Sequence, residues 1–360
     1  GISAAAAVGV AGGNPSLELE VLRTVDQTAL ETAKEMLARG VFEERLLDTP
    51  AKLHIIAELS AEGHCAVVEI IHTHTGIVRI ERDGVRLVDV PHAETADEAM
   101  DERLTLTLEQ IYTFANEVPL EEIEPLLANQ IACNTAIGRE GLTNDYGAAI
   151  GKTLLEMYGR EDTRVMAVAM AAAGSDARMS GCEMPVVINS GSGNQGITVS
   201  VPVYVHAKAM GVNDEKMYRA LCFANLVAIY QKTRIGRLSA YCGAVNAATG
   251  AGAGIAYLMG MNFDEIGEVI TNSIGAVSGI VCDGAKSSCA AKITAALQAV
   301  EMALVMVGKG RGFRNGEGLI KENVEKTLDC ICTLAKDGME ITDRVILELM
   351  VPSKGKMSEA

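Results

Sequence analysis

The sequence lacks tryptophan altogether, and aromatic residues make up only 4% of its 360 residues. Hydrophobic residues account for 49% of the chain, so they are mainly alanine, valine, leucine, isoleucine and methionine. The chain also has 36 glycines, which allow two backbones to approach closely. A core of small aliphatic side chains with interspersed glycines indicates tightly packed helices.

Positive charge is scarce as well. The chain has 31 lysines and arginines against 47 aspartates and glutamates, and its net charge is −16. Nucleic acids and anionic membrane surfaces are bound by clustered basic residues, so we expect neither as a partner. A small anionic substrate is compatible with this composition, because local charge decides its binding.

Long uncharged hydrophobic runs are missing. No apolar run reaches the roughly 18–20 residues of a membrane span without charges or frequent glycines. The alanine-rich start lacks the basic region of a signal peptide. The nine cysteines show no short paired spacing, which argues against a disulfide scaffold. We therefore expect a cytoplasmic protein with most of its thiols reduced.

Helical and strand-like patterns alternate in the first 100 residues. Apolar residues at helical spacing predict helices over 1–13 and 15–39. Runs of alternating or β-branched residues predict strands at 53–59, 65–71, 77–82 and 85–90. Asp83-Gly84 is a two-residue hairpin signal between the last two strands. This part is predicted to be a small antiparallel sheet with helices.

From about residue 104 onwards the pattern is helical. Helices are predicted at about 105–117, 121–138, 144–159, 162–179, 195–210, 214–233, 236–260, 263–278, 284–308 and 318–335. Gly141 is expected to break one stretch, while Asn213 and Asn262 are candidate N-caps. The acidic segment 91–101 is interpreted as a linker. The sequence thus predicts an α+β fold, with a small α+β domain over 1–100 and a large helical catalytic domain over 101–360.

The first candidate site is a glycine-rich segment that precedes a helix. After apolar residues 186–188 the chain reads Asn189-Ser-Gly-Ser-Gly-Asn-Gln-Gly196. Glycines let the backbone approach a ligand, and N–H groups at a helix N-terminus bind anions. The segment suits a carboxylate or a phosphate, although an ordinary capped turn has the same composition.

The second candidate site is a set of cysteines. Cys242 precedes a Gly/Ala-rich helix, and Cys282 and Cys289 follow forty residues later. Thiolates are soft ligands for iron–sulfur clusters or zinc. The spacing is not a C-x-x-C pattern, and a free cysteine is often a small core residue. We expect that structural role for Cys65, Cys133, Cys222, Cys330 and Cys332, and leave the role of Cys182 open.

Further candidates are two histidines and two lysines. In a strand, His72 and His74 would share one face, as two metal ligands, an acid/base pair or part of a solvated surface. Lys286 and Lys292 are possible bases or carboxylate binders, or simply surface residues.

Three segments together resemble the L-cysteine desulfidase family, which is related to the alpha part of iron–sulfur-dependent L-serine dehydratases. They are Asn189-Ser-Gly-Ser-Gly-Asn-Gln-Gly-Ile197, Ser239-Ala-Tyr-Cys-Gly243 and Ile280-Val-Cys-Asp-Gly-Ala-Lys286. The resemblance extends along nearly the whole chain. It implies an oxygen-sensitive 4Fe-4S cluster with one iron open to substrate, and α,β-elimination of L-cysteine or L-serine without pyridoxal phosphate.

The resemblance also implies roles for individual residues. Cys242, Cys282 and Cys289 would hold the cluster. The candidates for the base that removes the Cα proton are His74, Lys286 and a cysteine of an upstream segment. The substrate carboxylate would be bound by Ser190, Gly191, Ser192, Gly193, Asn194 and Gln195. The substrate is a small amino acid, and the products are pyruvate, ammonia and either sulfide or water.

One departure from the family pattern concerns an upstream Gly-Cys-Thr-Glu-Pro element, which the chain from Gly1 onwards does not contain. We expect a further functional cysteine to belong to that element, and the cluster to depend on it. The Gly/Ala-rich helices are compatible with a homodimer. Two other hypotheses are a non-catalytic amino-acid-binding protein on the same scaffold and a zinc hydrolase that uses His72 and His74.

Overall fold

The computed structural model describes residues 1–91, 102–236 and 238–351. The described residues form two compact units. The first contains residues up to 91 together with those from Arg344 onwards, and the second contains residues 102 to Asp343. Apart from Pro91, the predicted linker lies outside the described residues. The predicted domain bounds therefore stay a prediction.

Two α-helices and a short 3₁₀ segment precede the sheet of the first unit. They are α1 (Ile2–Gly12), the 3₁₀ segment Pro15–Glu20 and α2 (Gln27–Ala38). The prediction of one helix over 15–39 is wrong, because Glu18 has a φ of 50° and interrupts it. Helix α2 begins only at Asp26, whose carboxylate accepts a hydrogen bond from the N–H of Ala29 at 2.8 Å.

The four predicted strands form an antiparallel sheet in chain order. They are β1 (His54–Ala61), β2 (His64–Ile71), β3 (Ile77–Arg82) and β4 (Val85–Asp89). Val68 of β2 pairs with Ala57 on one side and with Ile80 on the other. Asp83 and Gly84 have φ values of 51° and 79°, which a two-residue hairpin turn requires. The predicted sheet and hairpin are confirmed.

The histidines lie in a turn of this unit. Strand β2 ends at Ile71, and the next four residues form bends and turns before β3. His72 has a φ of 64°, and the side chains of both His72 and His74 are exposed. The prediction that they share one face of a strand is therefore wrong. Within the described ranges, no group of three or more His, Cys, Asp or Glu side chains is arranged to hold a metal ion.

The second unit is built from helices. They are α3 (Leu108–Glu117), α4 (Leu120–Thr143), α5 (Ile150–Tyr158), α6 (Thr163–Met179), α7 (Gly193–Met210), α8 (Asp214–Ile235), α9 (Gly243–Leu258), α10 (Phe263–Val277), α11 (Ser288–Val307) and α12 (Val324–Thr333). A helix that the sequence did not predict, α13, covers Glu340–Met350, and its residues from Arg344 onwards belong to the first unit. A small sheet followed by a mainly helical part confirms the α+β fold.

Both predicted asparagine caps are confirmed. The side chain of Asn213 accepts a hydrogen bond from the N–H of Lys216 at 2.9 Å and begins α8. Asn262 begins α10 in the same way and forms a reciprocal capping box with Glu265. These caps depend on residues three positions apart, so local sequence is sufficient to place them.

Gly141 does not break a helix, contrary to the prediction. Helix α4 continues through it to Thr143. A Cβ atom on Gly141 would stand 2.0 Å from the carbonyl oxygen of Ala173 in α6. The glycine therefore serves the close packing of two helices.

Helix α9 occupies the centre of the second unit. All but one of its residues from Ala244 to Leu258 are buried, and it packs against α7, α8, α10 and α11. Cβ atoms on Gly250 and Gly254 would stand 2.5 and 2.9 Å from backbone oxygens of α8. This packing explains the abundance of glycine and alanine in the sequence.

Helix α11 is long and apolar enough to cross a membrane by length and composition alone. Its apolar window is 56% buried, and it packs against α6, α9 and α10. A core helix of a folded unit has the same properties, so this single helix is weak evidence for a membrane span. The expected cytoplasmic location stays a prediction.

Candidate functional site

Helices α7, α9 and α11 begin close to one another in the second unit. A Cβ atom on Gly243, at the start of α9, would stand 2.5 Å from Cδ of Gln195 in the first turn of α7. Tyr241 forms an antiparallel bridge with Val281, in the segment that leads to α11. Helix N-termini present free N–H groups and a partial positive charge. Their convergence favours an anionic ligand.

Cys242 and Cys282 are adjacent in this region. The N–H of Cys242 donates to the carbonyl of Ile280 at 3.0 Å, and the N–H of Cys282 donates to the carbonyl of Ala240 at 2.6 Å. Cys242 is buried, with 7% of its surface exposed. Because these backbone hydrogen bonds are reciprocal, they hold the two thiols in a defined position.

The two thiols influence each other's ionisation. The interaction with Cys242 lowers the pKa of Cys282, assisted by the N–H of Gly284 and the charge of Lys292. The same interaction, together with burial, raises the pKa of Cys242. One thiolate stabilised by the neighbouring thiol is the chemical state that this geometry favours.

Both candidate lysines are bound to Asp283. Nζ of Lys286 lies 3.4 Å from one carboxylate oxygen, and Nζ of Lys292 pairs with the other. The ion pair with Lys292 holds the pKa of Asp283 below its ordinary value. The charge of Lys292 also favours the thiolate of Cys282. Of the two candidate lysines, Lys292 is therefore the one that stabilises this thiolate.

Cys289 lies in the first turn of α11, on the same connection as Cys282. Its Sγ is 3.7 Å from the carbonyl oxygen of Gly284. The structure places Cys289 at the same end of the helices as the other two cysteines. In the part of the chain that the structure describes, however, the three thiols do not form a closed metal-binding group.

The glycine-rich segment forms a tight turn before α7. Ser190 and Gly191 have φ values of 49° and 80°, and Asn189 and Ser192 exchange two backbone hydrogen bonds of 3.2 and 3.1 Å. The hydroxyl of Ser192 accepts a hydrogen bond from the N–H of Gln195 and caps α7. The capped turn, one of the two alternatives that the sequence left open, is confirmed, and the ligand-binding role of the segment stays a prediction.

Gln195 and Asn246 are buried beside the thiol pair. Gln195 is 7% exposed, and within the described residues its Oε1 has no hydrogen-bond partner. Asn246 lies one turn after Cys242 and is fully buried, and its side-chain oxygen and nitrogen also lack partners there. Buried polar atoms normally have a hydrogen-bond partner. Within the described residues, Oε1 of Gln195 and the side-chain amide of Asn246 therefore have unused hydrogen-bonding capacity.

The last turn of α6 contributes two charged residues that sequence reasoning missed. Asp176 is 1% exposed, and burial raises its pKa, although its carboxylate accepts a hydrogen bond from the N–H of Gly151 at 3.1 Å. Arg178 donates to Oδ1 of Asn194 at 3.4 Å. The only signal in the sequence was a pair of charges inside an alanine-rich helix, since their partners lie far along the chain.

The remaining cysteines have other surroundings. Cys222 and Cys332 are buried core residues, at 6% and 4% exposure, and burial raises the pKa of each. Cys65, Cys133 and Cys330 are half-buried. Cys182, whose role the sequence left open, interacts with the hydroxyl of Tyr146.

The helical unit with its paired cysteines and glycine-rich turn belongs to a known class. The chain belongs to the serine dehydratase alpha chain family, whose model matches residues 16–348. This confirms the relation to the alpha part of L-serine dehydratases, and it indicates a lyase-related protein.

Several curated relatives, each named UPF0597 protein, are similar to this chain. The relative from Lachnoclostridium phytofermentans is 52% identical over 351 residues, which cover 98% of this chain and 84% of the relative. Those from Treponema denticola and Finegoldia magna are 41% and 43% identical, and each match covers 98% of this chain. The matches cover 83% and 84% of those two relatives. No solved structure matches the chain significantly.

Proposed function

We propose that the chain carries an iron–sulfur-dependent active site for α,β-elimination of L-cysteine or L-serine. The products would be pyruvate, ammonia and either sulfide or water. The observation that carries this proposal is the adjacent pair Cys242 and Cys282 at converging helix N-termini, beside the turn at 190–195. Membership of the serine dehydratase alpha chain family supports the same reaction class.

The donor chemistry of the site fits an iron–sulfur cluster. Thiolates are the usual ligands of such clusters. Cys242 and Cys282 are adjacent and held by backbone hydrogen bonds, Cys289 follows on the same connection, and Lys292 stabilises the thiolate state. We propose these three cysteines as the ligands of a 4Fe-4S cluster. When bound, such a cluster supplies a Lewis acid for the leaving group on Cβ.

The turn at 190–195 would bind and orient the amino acid. Free N–H groups at the start of α7 favour a carboxylate. The unpartnered Oε1 of Gln195 would accept a hydrogen bond from the substrate ammonium group, which satisfies a buried acceptor. The carboxylate and the ammonium group of the substrate would then be held close to the thiol pair, and the Cα–H bond would have a fixed orientation.

Removal of the Cα proton requires a base, and the two candidates of this chain differ in environment. Nζ of Lys286 lies 3.4 Å from a carboxylate oxygen of Asp283, the residue that follows Cys282. His74 is an exposed imidazole in the first unit. The variants His74→Gln and Lys286→Met are therefore compared by ammonia release, and we expect kcat to fall in the variant that lacks the base. Wild-type activity of both variants would exclude both residues and point to another base.

The decisive experiment is an anaerobic assay of the protein expressed from its complete reading frame. After reconstitution with iron and sulfide, we expect a brown protein that forms equal amounts of pyruvate and ammonia from L-cysteine or L-serine. Sulfide release identifies the cysteine reaction. A colourless, iron-free protein without turnover would overturn the proposal, and calorimetric amino-acid binding without ammonia would indicate a binding protein instead.

A further inference from the structure

The guanidinium group of Arg178 is a partly buried cation with few partners. Among the residues that the structure describes, its only hydrogen bond is the one from Nη1 to Oδ1 of Asn194 at 3.4 Å, and it has no ion pair. Burial lowers the pKa of Arg178, which means that its charge is poorly solvated. A guanidinium has five N–H donors, and a buried charge is costly unless it is paired.

The main chain of the 190–195 turn lies directly against this group. A Cβ atom on Gly193 would stand 2.4 Å from Nε and 3.0 Å from Cζ of Arg178. The charge of Cys289, a proposed cluster ligand, opposes the lowering of the Arg178 pKa. Arg178 therefore lies against the proposed carboxylate turn and within electrostatic reach of Cys289.

We propose that Arg178 receives the carboxylate group of the substrate and thereby restricts the site to small carboxylate-bearing molecules. The identity of that substrate as an amino acid rests on the function proposed above. A guanidinium presents two parallel N–H groups that match the two oxygens of a carboxylate, and Arg178 has unused donors for this. The bound carboxylate would also supply the anionic partner that the described residues do not.

This assignment predicts a chemical preference. A carboxylate should bind much more tightly than the corresponding amide, because the amide is neutral and cannot accept two guanidinium hydrogen bonds. L-Alanine has no leaving group on Cβ, so it reports binding without turnover. It is compared with L-alaninamide, which has the same ammonium group but a neutral amide in place of the carboxylate.

The test compares Arg178→Gln and Arg178→Lys with the wild type, all expressed from the complete reading frame and reconstituted anaerobically. Arg164→Gln is the matched control, because Arg164 lies at the other end of α6 and pairs with Asp162. We expect Arg178→Gln to weaken L-alanine binding in calorimetry, and to raise KM, by about 10- to 100-fold. The affinity for L-alaninamide should hardly change. Arg178→Lys should bind L-alanine with an intermediate affinity, because lysine keeps the positive charge but lacks the two parallel N–H groups.

Three results would overturn this role. One is unchanged L-alanine binding in Arg178→Gln with wild-type circular dichroism. Another is equal binding of the acid and the amide by the wild type. The third is a loss of bound iron in Arg178→Gln but not in Arg164→Gln, while L-alanine binding stays unchanged. This result would mean that Arg178 supports the cluster ligand Cys289 and does not bind the substrate. Lack of turnover by the wild type would refute the proposed reaction alone, since calorimetry does not depend on turnover.

Discussion

Gly193 and Arg178 are so close that a Cβ atom on Gly193 would stand 2.4 Å from Nε of Arg178. Gly193 is the first residue of α7, and its backbone conformation is one that alanine can adopt. A Cβ atom would also stand 2.6 Å from Cγ2 of Val186, so Gly193→Ala should act by displacing the guanidinium and this methyl group. We expect kcat/KM to fall by about 10- to 100-fold, since small misplacements of binding groups have effects of this size. Steady-state kinetics and calorimetry with L-alanine measure it.

Gly308→Ala is the matched control for this substitution. Gly308 follows α11, and a Cβ atom there would be no nearer than 3.4 Å to its neighbours. It should leave substrate binding unchanged. Wild-type kinetics in Gly193→Ala would show that the guanidinium can move aside without loss, and would contradict the prediction.

The three proposed ligands make a second prediction. Cys242→Ala, Cys282→Ala and Cys289→Ala should each lower the iron bound per chain and abolish turnover, because a cluster depends on its thiolates. Cys330→Ala, which removes a half-buried thiol of α12, should retain both. Iron analysis and visible absorption of anaerobic samples provide the measurement. Full iron content in Cys289→Ala would show that the third ligand lies elsewhere.

A third prediction concerns the packing of α4 on α6. A Cβ atom on Gly141 would stand 2.0 Å from the carbonyl oxygen and 2.5 Å from the carbonyl carbon of Ala173, and the backbone cannot give way easily. Gly141→Ala should therefore lower the free energy of unfolding by about 1 to 3 kcal/mol, although alanine favours a helix. Denaturant unfolding measures the change. A stability equal to that of Gly308→Ala would refute this account.

A fourth prediction is the loss of stability at alkaline pH. Cys332 in α12 is buried, which raises its pKa from an ordinary value of 9.0 to about 12. Above pH 9 the unfolded chain releases this proton while the folded chain keeps it, so stability falls as pH rises. One such group contributes about 1.4 kcal/mol per pH unit.

The comparison is between the wild type and Cys332→Ala in denaturant unfolding at rising pH. The wild type should lose stability more steeply than the variant from about pH 9 upwards, and the two should run parallel below it. Parallel curves throughout the alkaline range would show that Cys332 ionises as easily in the folded protein as in the unfolded one.

Local sequence was sufficient for those features whose cause lies within a few residues. The Asp83-Gly84 hairpin depends on two positive φ values, and the caps at Asn213 and Asn262 depend on a donor three residues away. The helices of the second unit follow from apolar spacing. The ordered segments around Cys242 and Cys282 pointed to the family, because each motif is contiguous in the chain.

Other features follow from contacts that no local pattern records. Gly141 has the composition of a helix breaker, yet the carbonyl of Ala173 makes it a packing position inside α4. His72 and His74 alternate as in a strand, but β2 ends before them at Ile71. In both cases the tertiary contact or the end of strand pairing overrides the local signal.

The sequence by itself determined the α+β fold, the family and the candidate cysteines. Only the tertiary structure brought Cys242 beside Cys282, Gln195 against Gly243 and Arg178 against Gly193. Arg178 stands in an alanine-rich stretch with no motif around it, so its charge was the only sign in the sequence of the role proposed for it. The physical reason is that the packing of helix ends decides which charges become buried and which remain without a partner.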